Sequence, residues 1–341
     1  MILAGISIYI WVAVLALVLT IIAMDLGVFH RKAHVVGMKE ALGWTVVWVL
    51  TALAFNAGIY FFWEQAYVPH EGVQTLNHTE ASMAFLAGYI IEMALSVDNI
   101  FVFLVVFSYF KVPMESQHRV LFYGILGALI FRAIFIALGA TILHHFEWSM
   151  VIFGAFLVFT GFKMGTHHGE VIDMDDNKAL KLVRRFIPVT KDFHGQHFFL
   201  HQHGKWVATP LFVTLVMIEF TDIIFAVDSI PAIFAVTSQP FIVFTSNVFA
   251  ILGLRSLFFA LAGAMRLFHY LSYGLSVVLI FVGGKMLYGY AQHNWVTEWP
   301  KFPIAASLGI IGGILLMSIV ASLLWPPDDA QEKPDGPVQE L

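Results

Sequence analysis

Long apolar runs separated by short polar breaks dominate the chain. Nine of them reach or approach the ~20 residues that a transmembrane helix needs. They cover residues 7–26, 41–63, 83–110, 119–143, 148–164, 209–237, 241–265, 271–290 and 302–325. The pattern predicts an all-α polytopic membrane protein with about nine spans. The first run has no Lys or Arg before it and no small-residue cleavage signal after it, so it reads as a retained helix rather than a signal peptide.

The polar breaks orient the spans. Thirteen Lys and Arg residues, among them Arg31, Lys39, Lys111, Arg184, Lys205 and Arg266, follow the odd-numbered runs, and only Lys301 falls on the other side. By the positive-inside rule the N-terminus is outside and the C-terminus cytoplasmic. The chain then divides into two peripheral N-terminal spans (1–82), a first three-helix unit (83–164) and a cytoplasmic His-rich loop (165–208). A second three-helix unit (209–290), a ninth span (291–325) and a Pro- and acid-rich tail (326–341) that reads as disordered follow. Within the loop, 177–186 suits a short basic amphipathic helix, and 198–207 suits a hairpin turning at His203-Gly204-Lys205.

The two three-helix units repeat. Val97-Asp98-Asn99-Ile100 matches Val227-Asp228-Ser229-Ile230 at an offset of 130, which also sets Glu92 on Asp222. Ile125-Leu126-Gly127 matches Ile251-Leu252-Gly253 at 126, and Phe159 to Met164 matches Phe281 to Met286 at 122. An odd number of helices per copy makes the repeat inverted, the pattern of secondary transporters that bind cargo near the midplane. Helices 1, 2 and 9 are expected outside this core.

Composition narrows the function. The chain is 59% hydrophobic and 12% charged, against about 25% charged in soluble domains, and its mean hydropathy is +0.82. That excludes a soluble enzyme and a disordered chain. A net charge of −5 offers nothing to nucleic acid, and the absence of cysteine excludes thiol nucleophiles, Cys-ligated zinc and iron–sulfur clusters.

Against that background the intramembrane acids stand out. Helix 3 carries Glu92 and Asp98, and helix 6 carries Glu219, Asp222 and Asp228. A charge at the bilayer centre costs at least about 2.5 kcal/mol. Only Arg132 and Arg255 lie at similar depth as charge partners, so an excess of carboxylates needs bound protons or a cation. Pro231 should free the carbonyl of Val227 and break helix 6 beside Asp228, a form of irregular backbone tolerated around a polar cavity. With Asn99, Ser229 and Asp25 as further donors, the candidate ligands are all oxygens. Such a set suits Mn²⁺, Ca²⁺ or Mg²⁺ over Zn²⁺ or Cu⁺. No His lies mid-span, which argues against haem, and no prosthetic group is expected. His167, His168, His194, His197, His201 and His203 in the loop could form a capture site or be scattered surface residues. An intramembrane aspartyl protease would need a Gly-x-Gly-Asp motif, but the aspartates here follow Val97 and Val227.

Ile91 to Asn99 and Glu219 to Ala232 resemble the signature motifs of the TerC family. So do Asp25-Leu26-Gly27-Val28-Phe29-His30, Phe55-Asn56, Ala208-Thr209-Pro210-Leu211 and Ile251 to Arg255. The resemblance spans about residues 20–320 and is strongest to the Alx-type subgroup. It implies a bacterial inner-membrane protein that exports Mn²⁺, with Glu92, Asp98, Glu219, Asp222 and Asp228 as family acidic positions. The expected mechanism is one or two Mn²⁺ sites between helices 3 and 6, with metal and protons competing for the same oxygens as one repeat rocks against the other. Asp98 and Asp228 are the leading ligand candidates. The alternatives are a membrane scaffold or metal-delivery partner, and a transporter of another hard cation such as Ca²⁺.

Overall fold

The computed structural model describes residues 2–24, 37–69, 75–166, 188–190, 192–202, 205–262, 270–295, 300 and 302–325. Among the described residues there are nine α-helices: α1 Ile8–Met24, α2 Met38–Ala66, α3 His78–Tyr109, α4 Met114–His145 and α5 Ser149–Thr166, then α6 Pro210–Phe234, α7 Pro240–Ala262, α8 Leu271–Asn294 and α9 Ile304–Leu324. Eight are long and apolar enough to cross a membrane; α1, with 17 residues, is the short one. Asp25, the proposed 177–186 helix, His167, His168, His203 and the 326–341 tail lie outside the described residues, as does the side chain of Asp228.

Local chemistry sets the helix ends. Asn77 caps α3 by accepting from the Glu80 backbone N–H at 2.8 Å, while Glu80 Oε2 accepts from the Asn77 N–H at 3.0 Å. This reciprocal box satisfies two N–H groups that the first turn leaves unpaired. Proline opens α6 and α7 and directly precedes α4 and α9. A missing N–H costs nothing in the first turn. The expected hairpin forms from β1 Phe199–Gln202 and β2 Lys205–Ala208, antiparallel with Gln202 opposite Lys205. A second small hairpin, Ile2–Leu3 paired with Ile6–Ser7, precedes α1.

The expected break in helix 6 does not form. Residues 210–234 are one helix with Pro231 inside it, and α3 is likewise unbroken over 32 residues. Pro231 lies in the last turn, so its missing N–H removes one ladder bond at the C-terminal end and leaves the rest of the ladder intact.

Packing centres on the two repeated units. α3 lies against α6 and α7, α4 lies against the same two, and α5 runs along α8. The α5–α8 crossing is made of small residues. A Cβ on Gly154 would meet the Gly283 carbonyl oxygen at 3.0 Å, and a Cβ on Gly161 would meet the Ser276 carbonyl oxygen at 2.8 Å. Close backbone approach through small residues is how helices associate where no hydrophobic force drives them together. α2 covers α3 and α7, and α9 covers α3 and α8. α7 is enclosed along almost its whole length, whereas α4 exposes Ile130, Ile134 and Leu138. Those three residues, four apart, form a stripe suited to lipid.

A candidate ion site between α3 and α6

Glu92 and Asp222 sit near the middles of α3 and α6, and the packing of those helices turns both carboxylates inward. Glu92 is 0% and Asp222 2% exposed. Between them lies the guanidinium of Arg132, which reaches in from α4. Its Nη1 is ion-paired with Glu92 Oε1. Its Nη2 and Nε donate to Asp222 Oδ1 and Oδ2 at 3.3 and 3.5 Å. Nη1 also donates to Ser229 Oγ at 3.3 Å and to Asn247 Oδ1 at 3.2 Å. Asn247 completes the ring by donating from Nδ2 to Glu92 Oε2 at 3.0 Å. Four helices thus contribute to one buried cluster.

The cluster joins the two acids that the repeat makes equivalent. One guanidinium cannot neutralise two carboxylates, and breaking a buried pair costs about 3–5 kcal/mol because a charge is left unmatched. Asn247 was not legible as a site residue. Its only sequence signal is the polar run Thr245-Ser246-Asn247 inside an apolar span. Glycine lets it reach the acids: a Cβ on Gly88 of α3 would lie 2.6 Å from Ser246 Oγ, so α3 and α7 approach closely there.

The other candidates do not touch the guanidinium among the described residues, although Glu219 lies one turn before Asp222 on α6. Asp98 is six residues beyond Glu92, about 9 Å along the helix and about 240° round it. Its Oδ1 accepts from Ser272 Oγ at 3.2 Å, in the first turn of α8. Asn99 is buried beside it. The Glu219 carboxylate rests against Gly127 of α4, where a Cβ would overlap it. Its Oε2 is buried with no hydrogen-bond partner among the described residues. Arg255 is buried, with Nη1 3.1 Å from His118 Nε2 on α4. Among the loop histidines, His194 Nδ1 lies 2.9 Å from the Asp192 carbonyl and His201 packs edge-on to Trp206. No group of three or more His, Asp or Glu side chains among the described residues converges on a point that could hold a metal.

Asp222 also borders a small void lined by Phe103, Leu121, Gly124, Ala128, Ile218 and Leu254. These residues come from the second halves of α3 and α7 and the first halves of α4 and α6. All lie towards the side of the β1–β2 hairpin, which is the side rich in Lys and Arg.

The profile of the integral membrane protein TerC family matches residues 77–330. The chain is 50% identical over 314 residues to "Uncharacterized membrane protein STKORF319" of Myxococcus xanthus, covering 92% of each chain. It is 44% identical over 311 residues to "Putative membrane-bound redox modulator Alx" of Escherichia coli K12, covering 91% of this chain and 92% of that one. It is 35% identical over 314 residues to "Uncharacterized membrane protein" of Rickettsia bellii, covering 92% and 97%. No solved structure matches the chain.

Proposed function

This chain belongs to the TerC family of integral membrane proteins, and we propose that it is a secondary transporter of the bacterial inner membrane that exports Mn²⁺ from the cytoplasm in exchange for protons. The observation that carries the reading is the pair Glu92 and Asp222, buried at mid-span on two helices and held round a single cation. Their surroundings are oxygen donors, Ser229 Oγ and Asn247 Oδ1, the chemistry that suits hard divalent ions. Metal and protons compete for the same carboxylate oxygens, which is sufficient for exchange.

The packing supports an inverted repeat. At the offset of 122, Gly154 corresponds to Ser276 and Gly161 to Gly283. The contact of Gly154 with Gly283 is therefore matched by that of Ser276 with Gly161. As residue numbers rise along α5 they fall along α8, so the helices are antiparallel, and a two-fold relating them lies perpendicular to both. The packing of α3 on α7 is matched in the same way by that of α6 on α4. For spanning helices that axis lies in the membrane plane, the arrangement in which one repeat rocks against the other. The void beside Asp222 lies in the half of the bundle that carries the β1–β2 hairpin, the half that the charge rule assigns to the cytoplasm. Asp98 stands on that same half of α3, and we assign it to the route between cytoplasm and centre. The backbone of Asp228 takes the corresponding place on the opposite half of α6.

The redox role in the name of the Escherichia coli relative has no thiol to work through here, since the chain contains no cysteine. A redox effect would follow indirectly from metal supply. A scaffold or metal-delivery role shares the same acids, and reconstitution separates the two. Purified protein in proteoliposomes should move Mn²⁺ with opposing proton movement, and Glu92→Gln and Asp222→Asn should each abolish both. Mn²⁺ flux without proton movement would refute exchange, and full flux in both variants would refute the site.

A further inference from the structure

The oxygens best placed to hold a cation at mid-span are already wrapped round a positive group. All of them, from Glu92, Asp222, Ser229 and Asn247, face the same guanidinium. We propose that Arg132 is the resident cation of this site, that it and the transported metal exclude one another, and that metal enters only as Arg132 withdraws. The proposal rests on the transporter reading above, which supplies the metal.

Geometry makes the two occupants incompatible. A divalent ion bridging Glu92 and Asp222 would bind an oxygen of each at about 2.0–2.6 Å, with nothing between those oxygens but the ion. In this structure the guanidinium lies between them, Nη1 towards Glu92 and Nη2 with Nε towards Asp222. The fork geometry of arginine lets one side chain serve both acids.

The repeat carries this cation once. By the match of Ile125-Leu126-Gly127 with Ile251-Leu252-Gly253, the counterpart of Arg132 is Phe258, which is buried and apolar. Arg132 belongs to α4, the repeated helix with an exposed outer stripe, and its counterpart helix α7 is enclosed. α4 also meets α6 through glycines: a Cβ on Gly124 would lie 3.2 Å from Ile218, and one on Gly139 2.8 Å from Phe234. In the proposal, α4 shifts along this close glycine-lined contact and carries Arg132 with it. The tethered charge then stabilises the metal-free state, and its return helps expel the metal.

The role differs in sign from a structural one. An arginine that only holds the fold, when removed, leaves metal binding unchanged or weaker; a resident competitor, when removed, leaves it stronger. Mn²⁺ binding is measured calorimetrically on the purified full chain in detergent, with monodisperse elution as the check on folding. Arg132→Gln should bind Mn²⁺ at least tenfold more tightly than wild type, yet transport it more slowly because release is impaired. Arg132→Lys keeps the charge but cannot span both acids, so its affinity should fall between the two. It also serves as the test should Arg132→Gln not fold. Methylguanidinium should displace Mn²⁺ competitively from Arg132→Gln and have no such effect on wild type at the same concentration. Unchanged or weaker Mn²⁺ binding in folded Arg132→Gln or Arg132→Lys, alongside normal wild-type flux, would overturn the resident-cation proposal alone. Absence of Mn²⁺ binding and flux in wild type would overturn the transporter reading on which it rests.

Discussion

Gly283→Ala tests the crossing on which the two-fold arrangement depends. The added methyl would lie 2.6 Å from the Gly154 carbonyl oxygen and 2.9 Å from the Val158 backbone nitrogen. Ordinary contact begins near 3.4 Å, so α5 and α8 would have to separate by about 0.8 Å. Backbone atoms cannot rotate aside as a flexible side chain can, and overpacking of this kind costs about 1–3 kcal/mol. Alanine also favours the helix over glycine by about 1 kcal/mol, which would mask part of the effect. The neighbouring Gly284 removes that ambiguity, since a Cβ there meets nothing within 4 Å. Gly284→Ala shares the propensity gain without the clash, so the difference between the two variants isolates the crossing. We expect Gly283→Ala to be about 1–3 kcal/mol less stable than Gly284→Ala in denaturant unfolding in detergent micelles. Gly161→Ala should show a deficit of similar size, because its methyl would meet the Ser276 carbonyl oxygen at 2.8 Å and the Ile280 nitrogen at 3.0 Å. Equal stability of Gly283→Ala and Gly284→Ala would refute the crossing and the symmetry argument drawn from it.

Asn247→Leu removes a donor to Glu92 and an acceptor from Arg132. It should cost about 1–3 kcal/mol in the same unfolding assay and lower Mn²⁺ flux at least tenfold; unaltered flux would show that Asn247 only packs. Asp98→Asn keeps an oxygen to accept from Ser272, so its stability should stay within about 0.5 kcal/mol of wild type. It should nevertheless abolish Mn²⁺ tolerance in a sensitised strain that Ser272→Ala still protects, and retained tolerance in Asp98→Asn would remove that carboxylate from the route.

The helices were legible because spanning a bilayer leaves few options: every backbone group must be paired within the segment, so a run of about 20 apolar residues is a helix. The α1–α9 boundaries accordingly fall within a few residues of the apolar runs, apart from the ends of α3 and α4, whose helices extend into polar turns secured by the Asn77 cap and Pro113. The β1–β2 hairpin was legible from the polar, glycine-containing turn between two short apolar strands. What misled was the proline. Pro231 signals a break when read alone, but in the last turn of a helix it forfeits a single hydrogen bond, and α6 runs on to Phe234.

That one difference changes which acids meet. With α3 and α6 unbroken, residues six apart cannot share a face, so Glu92 and Asp98 must point to different surroundings. The acids could be found from sequence because a carboxylate at membrane depth is costly wherever it points. Their grouping could not, because it depends on helix phase and on partners 40 to 155 residues away. Arg132 lies 90 positions from Asp222, and Asn247 lies 155 from Glu92. Charge counting identified Arg132 as a partner without saying whose, and Asn247 carries no charge to count. The pairing of Glu92 with Asp222 through Arg132 follows from the repeat together with the phase of two continuous helices. It places the equivalent acids, rather than Asp98, at the centre of the molecule.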